Sequence, residues 1–354
     1  MSKRTLRATA VCALLALSQA HAAFEPGTRV LLDAHNCYPE HGRWTDRLAR
    51  ALSTGTPLAI EQDLVWFRDP VTGRGRSLVA HDESGKPALG LTGSEPSLRE
   101  HFFERIRPLV EQALRENRRE TWPIVTLNLD VKTEEPEHLA AIRSDVTEYK
   151  AWLTTAPRRA SIDDVQPLAV GPVLVLTGES DAQRVVFHDH VAIGEPLVVF
   201  GAARPRLRQA GTPAEARVRA RQELPDLTPG PRTNYHRWWN NPWSVVELGG
   251  QTNAGAWTPQ DDARLRALVE AAHNAGLWIR FYTLDGYDPR DDSGGWTASY
   301  NFGSEAAVRE RWTAAIRAGV DFVAVDQYER FSEVLRATPP GRRVLGGELS
   351  RPRY

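Results

Sequence analysis

Short runs rich in β-branched and aromatic residues recur along the chain, and several are separated by segments of helical period. The runs lie at 29–35 (RVLLDAH), 58–66 (LAIEQDLVW), 77–82 (SLVAHD), 122–132 (WPIVTLNLDVK), 172–178 (PVLVLTG), 196–201 (PLVVFG), 243–249 (WSVVELG), 277–285 (LWIRFYTLD) and 320–327 (VDFVAVDQ). Amphipathic helical patterns are clearest at 98–117, 136–153, 259–275 and 304–318. Strand and helix therefore alternate, and the strands are close to continuously apolar. That combination predicts α/β architecture with a parallel sheet, because parallel strands are covered by helices and need long crossovers.

Eight or nine such strands fit a (β/α)8 barrel with one extra strand in an early loop. A doubly wound open sheet is the alternative, but no glycine-rich dinucleotide or phosphate-binding turn follows the first strand. The barrel is expected over 23–338. Within it, 202–237 is rich in Arg and Pro and is expected to be the least regular part, a long loop with one helix. The segment 339–354 reads as a surface arm.

The first 22 residues separate from this pattern. Lys3, Arg4 and Arg7 precede an apolar run too short to span a bilayer comfortably, and Ala20-His21-Ala22 fits a small-x-small cleavage site. Residues 1–22 are expected to be a cleaved signal peptide, which would make the protein secreted or periplasmic. Their removal takes away three cations and no acids, so the formal charge moves from −1 to −4. No polybasic run points to nucleic acid, and no obligate protein partner is implied. Of the two cysteines, Cys12 falls in the signal, so Cys37 has no intramolecular disulfide partner and reads as a buried thiol rather than a reactive one.

In a parallel barrel, reactive groups belong where strands end. His35 and Asn36 close the first run, Glu61 and Asp63 lie within the second, His81 follows the third, and Asp130 and Lys132 end the fourth. Strand side chains alternate, so Glu61 and Asp63 share a face, as do Asp130 and Lys132. In VTLNLDVK, Val125, Leu127, Leu129 and Val131 are expected to meet helices, leaving Thr126, Asn128, Asp130 and Lys132 inside. Glu61, Asp63 and Asp130, with the amide oxygen of Asn36 as a fourth ligand, would make an all-oxygen site for one divalent cation, Ca²⁺ or Mg²⁺. The bland reading is a set of structural ion pairs such as Lys132 with Glu61. His35 and His81 suit an acid/base pair, and a cation beside Lys132 suits phosphodiester chemistry.

The ordered set AHN (34–36), IEQD (60–63), VAHD (79–82), LNLDVK (127–132), RFYTLD (280–285) and AGVDFVAVDQY (318–328) resembles the phospholipase-C-like phosphodiesterases. That superfamily includes the glycerophosphodiester phosphodiesterases and the phosphatidylinositol-specific phospholipases C. The resemblance spans about 29–330 and implies a TIM-type barrel, a phospholipid or glycerophosphodiester substrate, and transient contact with a membrane surface. By the same analogy Lys132 and Arg280 would contact phosphate and Tyr282 would line the pocket. His35-Asn36-Cys37 departs from the His-Arg-Gly usual in glycerophosphodiester phosphodiesterases and is more similar to the calcium-dependent phosphatidylinositol-specific enzymes, whose Asn binds metal. Asp130-x-Lys132 is more like the spider-type sphingomyelinase D pattern. Two other readings compete. One is a glycoside hydrolase with Trp238, Trp239, Trp243, Trp257 and Trp296 as sugar platforms, although packing over the core is the more ordinary use of these side chains. The other is a catalytically inactive, ligand-binding barrel. His188, Asp189 and His190 are expected at a helix end with no assigned role.

Overall fold

The structure, a computed structural model, describes residues 25–40, 42–81, 91–204, 227–247, 250–251, 254–287 and 301–339. The expected signal peptide, all of the expected arm except Pro339, and Trp296 lie outside the described residues.

Eleven strands are present among the described residues: β1 (Leu31–Ala34), β2 (Leu58–Arg68), β3 (Gly75–Val79), β4 (Val125–Val131), β5 (Ala156–Pro157), β6 (Val173–Thr177), β7 (Pro196–Leu197), β8 (Phe200–Ala202), β9 (His236–Pro242), β10 (Trp278–Tyr282) and β11 (Phe322–Val325). Eight of them form one parallel ring in the order β1-β11-β10-β9-β8-β6-β4-β2, closed by pairing of β1 with β2. This is the (β/α)8 barrel that the alternation predicts. The extra strand is also where it is expected: β3 folds back antiparallel on the second half of β2.

Alternation along each strand sorts its side chains into two separate hydrophobic clusters. Leu32, Ile60, Leu127, Val175, Trp239, Ile279 and Val323 join the large cluster that packs beneath the helices. Leu31, Ala59, Leu174, Leu176, Phe200, Trp238, Trp278 and Phe322 form a second cluster inside the ring. Its large side chains plug the lower barrel, as a ring of eight strands requires if it is to be a packed core rather than a pore.

The helices at Pro136–Glu148, Pro259–Asn274 and Glu305–Ala318 match their predicted segments within a few residues. Thr258 and Asp261 form a reciprocal capping box, and Pro259 occupies the first turn, where a missing N–H costs nothing. Gly319, at φ 80°, ends Glu305–Ala318 in the left-handed conformation that a side chain disfavours.

One strand prediction is corrected. The sixth barrel strand is 236–242 (HRWWNNP), not 243–249, whose start is a 3-10 turn at Trp243–Val245. Trp238 points into the ring, while Trp239 and Trp243 pack outside it, all three fully buried. These tryptophans are therefore strand and core residues, not loop platforms. The strand also cuts into the end of the stretch expected to be irregular, of which 205–226 lies outside the described residues.

Candidate active site at the barrel mouth

Two residues above the apolar plug, on the same strand faces, the interior turns ionic. Leu31 gives way to Asp33, Ala59 to Glu61 and then Asp63, Thr126 to Asn128 and then Asp130, and Trp278 to Arg280. Register levels these groups, with Glu61 opposite Asn128 and Asp63 opposite Asp130. The expected inward set of β4 is thus correct.

Arg280 sits at the centre of this layer, 1% exposed. Its guanidinium donates to Asp33, to Asn240 Oδ1 at 3.1 Å and to Glu61 Oε1 at 3.1 Å. One bond from each of Nε, Nη1 and Nη2 ties Arg280 to Asp33, Asn240 and Glu61, directly under the carboxylates. Burial opposes charge on Glu61, but Arg280 and then His35 outweigh it and hold the carboxyl down at about 2.

Above Arg280 stand Glu61, Asp63 and Asp130, each offering an oxygen within 4.8 Å of the others. Lys132 Nζ lies 3.0 Å from Asp63 and 2.7 Å from Asp130. The structural ion pairing of Lys132 is therefore with these two carboxylates. Even so, burial, reinforced by Asp130 and Glu61, pushes Asp63 up to about 8, and its Oδ1 is buried with no hydrogen-bond partner among the described residues. A trio with that much mutual repulsion and a bare buried oxygen fits a divalent cation. Its all-oxygen donors suit Mg²⁺ or Ca²⁺ better than zinc.

Asn36 leaves β1 in the left-handed region, φ 50°, which asparagine tolerates better than most residues. The turn lets its backbone N–H donate to Glu61 Oε2 at 3.0 Å, while its Nδ2 donates to both oxygens of Asp326. Its Oδ1 is linked to Asp63 through a hydroxyl. The Tyr38 hydroxyl stands between, 2.9 Å from both Asn36 Oδ1 and Asp63 Oδ2, with one proton for two acceptors.

His35 Nδ1 is 2.8 Å from Asp326 Oδ1. A carboxylate only accepts, so Nδ1 donates to Asp326, while Nε2 faces a second carboxylate, Glu61 Oε2, at 3.5 Å, and the imidazolium serves both. Burial lowers the imidazolium's pKa, but Glu61 and Asp326 outweigh it and raise the group to about 9. Tyr282 stacks beside His35, ring centroids 6.3 Å apart. His81 approaches from β3, its Nε2 4.0 Å from Asp63 Oδ2. The two histidines thus flank the carboxylates, one against Glu61 and one against Asp63.

Sequence reasoning omits Asp33, Tyr38, Arg47, Asp285 and Asp326. Asp33 precedes His35 by two and shares its face, a signal available in one dimension. Asp326 ends the last strand and meets His35 only because the ring closes. Asp285 Oδ1 accepts from Asp326 N at 2.7 Å, and Arg47 Nη1 donates to Asn36 O at 2.7 Å, so both fix the framework around His35. Cys37 is fully buried and burial pushes its thiol up to about 12, in keeping with an inert residue. His188 lies one residue before the end of the turn Val185–Asp189 and pairs with Asp189 at 2.7 Å.

No protein-family model and no curated protein sequence matches the chain. Among solved structures it is similar to a glycerophosphoryl diester phosphodiesterase from Parabacteroides distasonis, at 14% identity and a TM-score of 0.42 over 90% of each chain. A glycerophosphodiester phosphodiesterase from Agrobacterium tumefaciens shares 15% identity, TM-score 0.31, over 87% of this chain and 99% of that one. The HPPK-DHPS of Plasmodium falciparum shares 8%, TM-score 0.43, over 88% of this chain and 48% of its own length. The barrel stands on its strand pairing; likenesses at this level assign neither substrate nor reaction.

Proposed function

We propose that the protein is an exported, divalent-cation-dependent phosphodiesterase that cleaves a phospholipid or glycerophosphodiester-type substrate at the barrel mouth, in transient contact with a membrane surface where the substrate is a lipid. The observation that carries this reading is two histidines flanking three carboxylates, His35 at 3.5 Å from Glu61 and His81 at 4.0 Å from Asp63, with Lys132 among them. Glu61, Asp63 and Asp130 would hold the cation, Mg²⁺ or Ca²⁺, with the amide oxygen of Asn36 as a further ligand. Bound there, the cation relieves the trio's repulsion and stabilises negative charge on a phosphoryl oxygen.

The chain's own residues divide the remaining work. Lys132, with its side chain 22% exposed, offers its ammonium to a phosphate oxygen at the mouth. Arg280 positions Glu61 from below, and Asp326 keeps the His35 ring oriented with Nε2 toward the reacting oxygens. His35 and His81 take a proton from the attacking oxygen and give one to the leaving oxygen. Where the substrate carries a vicinal hydroxyl, that group attacks and a cyclic phosphate forms; otherwise water attacks.

A glycosidase needs two carboxylates flanking a scissile bond and gives no task to the two histidines and Lys132 that surround this trio. Turnover of bis(p-nitrophenyl) phosphate is expected to vanish in chelator and return with Mg²⁺ or Ca²⁺. His35→Ala should lose at least about a hundredfold in rate with its circular dichroism unchanged. Activity indifferent to chelator would sink the metal assignment. Mass spectrometry of products from phosphoinositide, sphingolipid and glycerophosphodiester substrates would identify the bond cleaved and any cyclic phosphate. A folded protein inactive on every diester would favour the binding module.

A further inference from the structure

A cavity of about 190 Å³ opens at the other end of the barrel, where β9 and β10 begin. Leu168, Val170 and Trp278 give it an apolar wall, and Arg232, Arg237 and Glu25 give it a charged corner. Arg232 is paired with Glu25 at 3.0 Å. Arg237 has no such counter-ion: although only 4% exposed, it has no carboxylate within 4.0 Å among the described residues. Its Nη2 donates to Gln166 O at 2.8 Å and Asn234 Oδ1 at 3.1 Å, and its Nε to Asn234 O at 3.4 Å, all neutral acceptors. Nη1 takes no partner among the described residues, yet it is not among the atoms sealed from solvent, so it is the nitrogen left free for a cavity ligand.

A buried guanidinium normally pairs with an anion, because neutral acceptors compensate its desolvation only in part. Two cations and one carboxylate leave the corner one positive charge in excess. Burial, and then Arg232, pulls Arg237 down to about 10, the direction expected of a cation lacking its counter-charge. We propose that this cavity binds a small organic monoanion, a carboxylate carried on an apolar body, with its oxygens on Nη1 of Arg237 and its body against Trp278 and Leu168. A few placed polar groups in a largely apolar hollow is the usual make-up of a small-molecule site, and a charge-assisted hydrogen bond from Nη1 suits a carboxylate oxygen. This site is independent of the chemistry proposed for the mouth.

Isothermal titration calorimetry with benzoate and hexanoate, at low ionic strength, tests it. Wild-type protein should bind at least one of them. Arg237→Met should weaken that binding by at least about tenfold, and Leu168→Trp, which fills the cavity and leaves the guanidinium in place, should do the same. If Arg237→Met does not fold, Leu168→Trp carries the test alone. No binding to wild-type protein, or affinity unchanged in the folded variants, overturns the proposal. Inorganic phosphate competing as well as benzoate also overturns it, since the apolar wall would then contribute nothing.

Discussion

The two halves of the barrel interior are built from the same strands and differ by a two-residue step. Below, Leu31, Ala59, Leu174, Trp238, Trp278 and Phe322 form an apolar plug; above, Asp33, Glu61, Asp63, Asp130, Arg280 and Lys132 form a dense ionic layer. Apart from Asp130 and Lys132 at the rim, both are shielded from water, so the difference is one of cost. The floor gains free energy from burial, at roughly 25 cal/mol per Å² of apolar surface. The mouth loses free energy by desolvating charges and recovers it only through pairing. A protein would not concentrate carboxylates in that way for stability alone, and the floor is what lets the mouth be expensive.

The largest effect that would break this division is on the floor. Trp238 is 1% exposed and its Nε1 donates to Thr177 O at 2.9 Å. Trp238→Ala should cost about 3–5 kcal/mol of stability by denaturant titration, with the turnover of the remaining folded protein close to wild type. An unfolded or inactive mouth in folded Trp238→Ala protein would show that the two halves are not separable. Next comes Asp63→Asn, which keeps volume and removes charge. Turnover should fall by at least about a hundredfold, roughly 2.7 kcal/mol of barrier, and the thermal stabilisation that Mg²⁺ gives wild-type protein should disappear. Retention of that stabilisation would remove Asp63 from the cation site.

A third test sits on the outer face of β2, at the level of the mouth. Between Glu61 and Asp63, Gln62 points outward; its amide donates to Cys37 O and Glu61 O, which leaves Oε1 to accept from His101 Nδ1 at 2.5 Å. Burial drops His101 to about 4 from 6.5. The unfolded chain therefore takes up a proton near pH 6.5 that the folded chain refuses until about 4. Stability fully present above pH 6.5 is lost as pH falls toward 4, on the order of 3 kcal/mol from this group. His101→Gln should flatten that part of the profile but not all of it, since His236 is also lowered to about 4, by burial first. A profile identical to wild type would show that the His101 charge is not excluded.

Much of this was legible in one dimension. Alternation gives the barrel, and phase along β2 and β4 gives Glu61, Asp63, Asp130 and Lys132, because a strand repeats every two residues whatever surrounds it. What one dimension lacks is closure. Asp326 reaches His35 from 291 residues away, and nothing in the local pattern of either strand marks the other as neighbour. Arg280 likewise meets Asp33, Asn240 and Glu61 only because three other strands bring them to it. The strand at 236–242 was hidden because its interior positions are Trp238 and Asn240 and it ends on Asn-Asn-Pro, the composition of a turn.

The smallest effect is the sharpest control on the division between floor and mouth. Leu174 is fully buried in the plug, one strand over from Thr126. Leu174→Met keeps volume and apolar character, so a packed floor should accept it for less than about 1.5 kcal/mol, with diesterase turnover unchanged. It is the apolar counterpart of Asp63→Asn: each substitution preserves shape, and only one removes a charge. A cost well above that bound would mean that the plug depends on the detailed fit of its side chains. A loss of turnover at wild-type stability would mean that the floor sets the geometry of the carboxylates above it, and the two halves would have to be treated as one device.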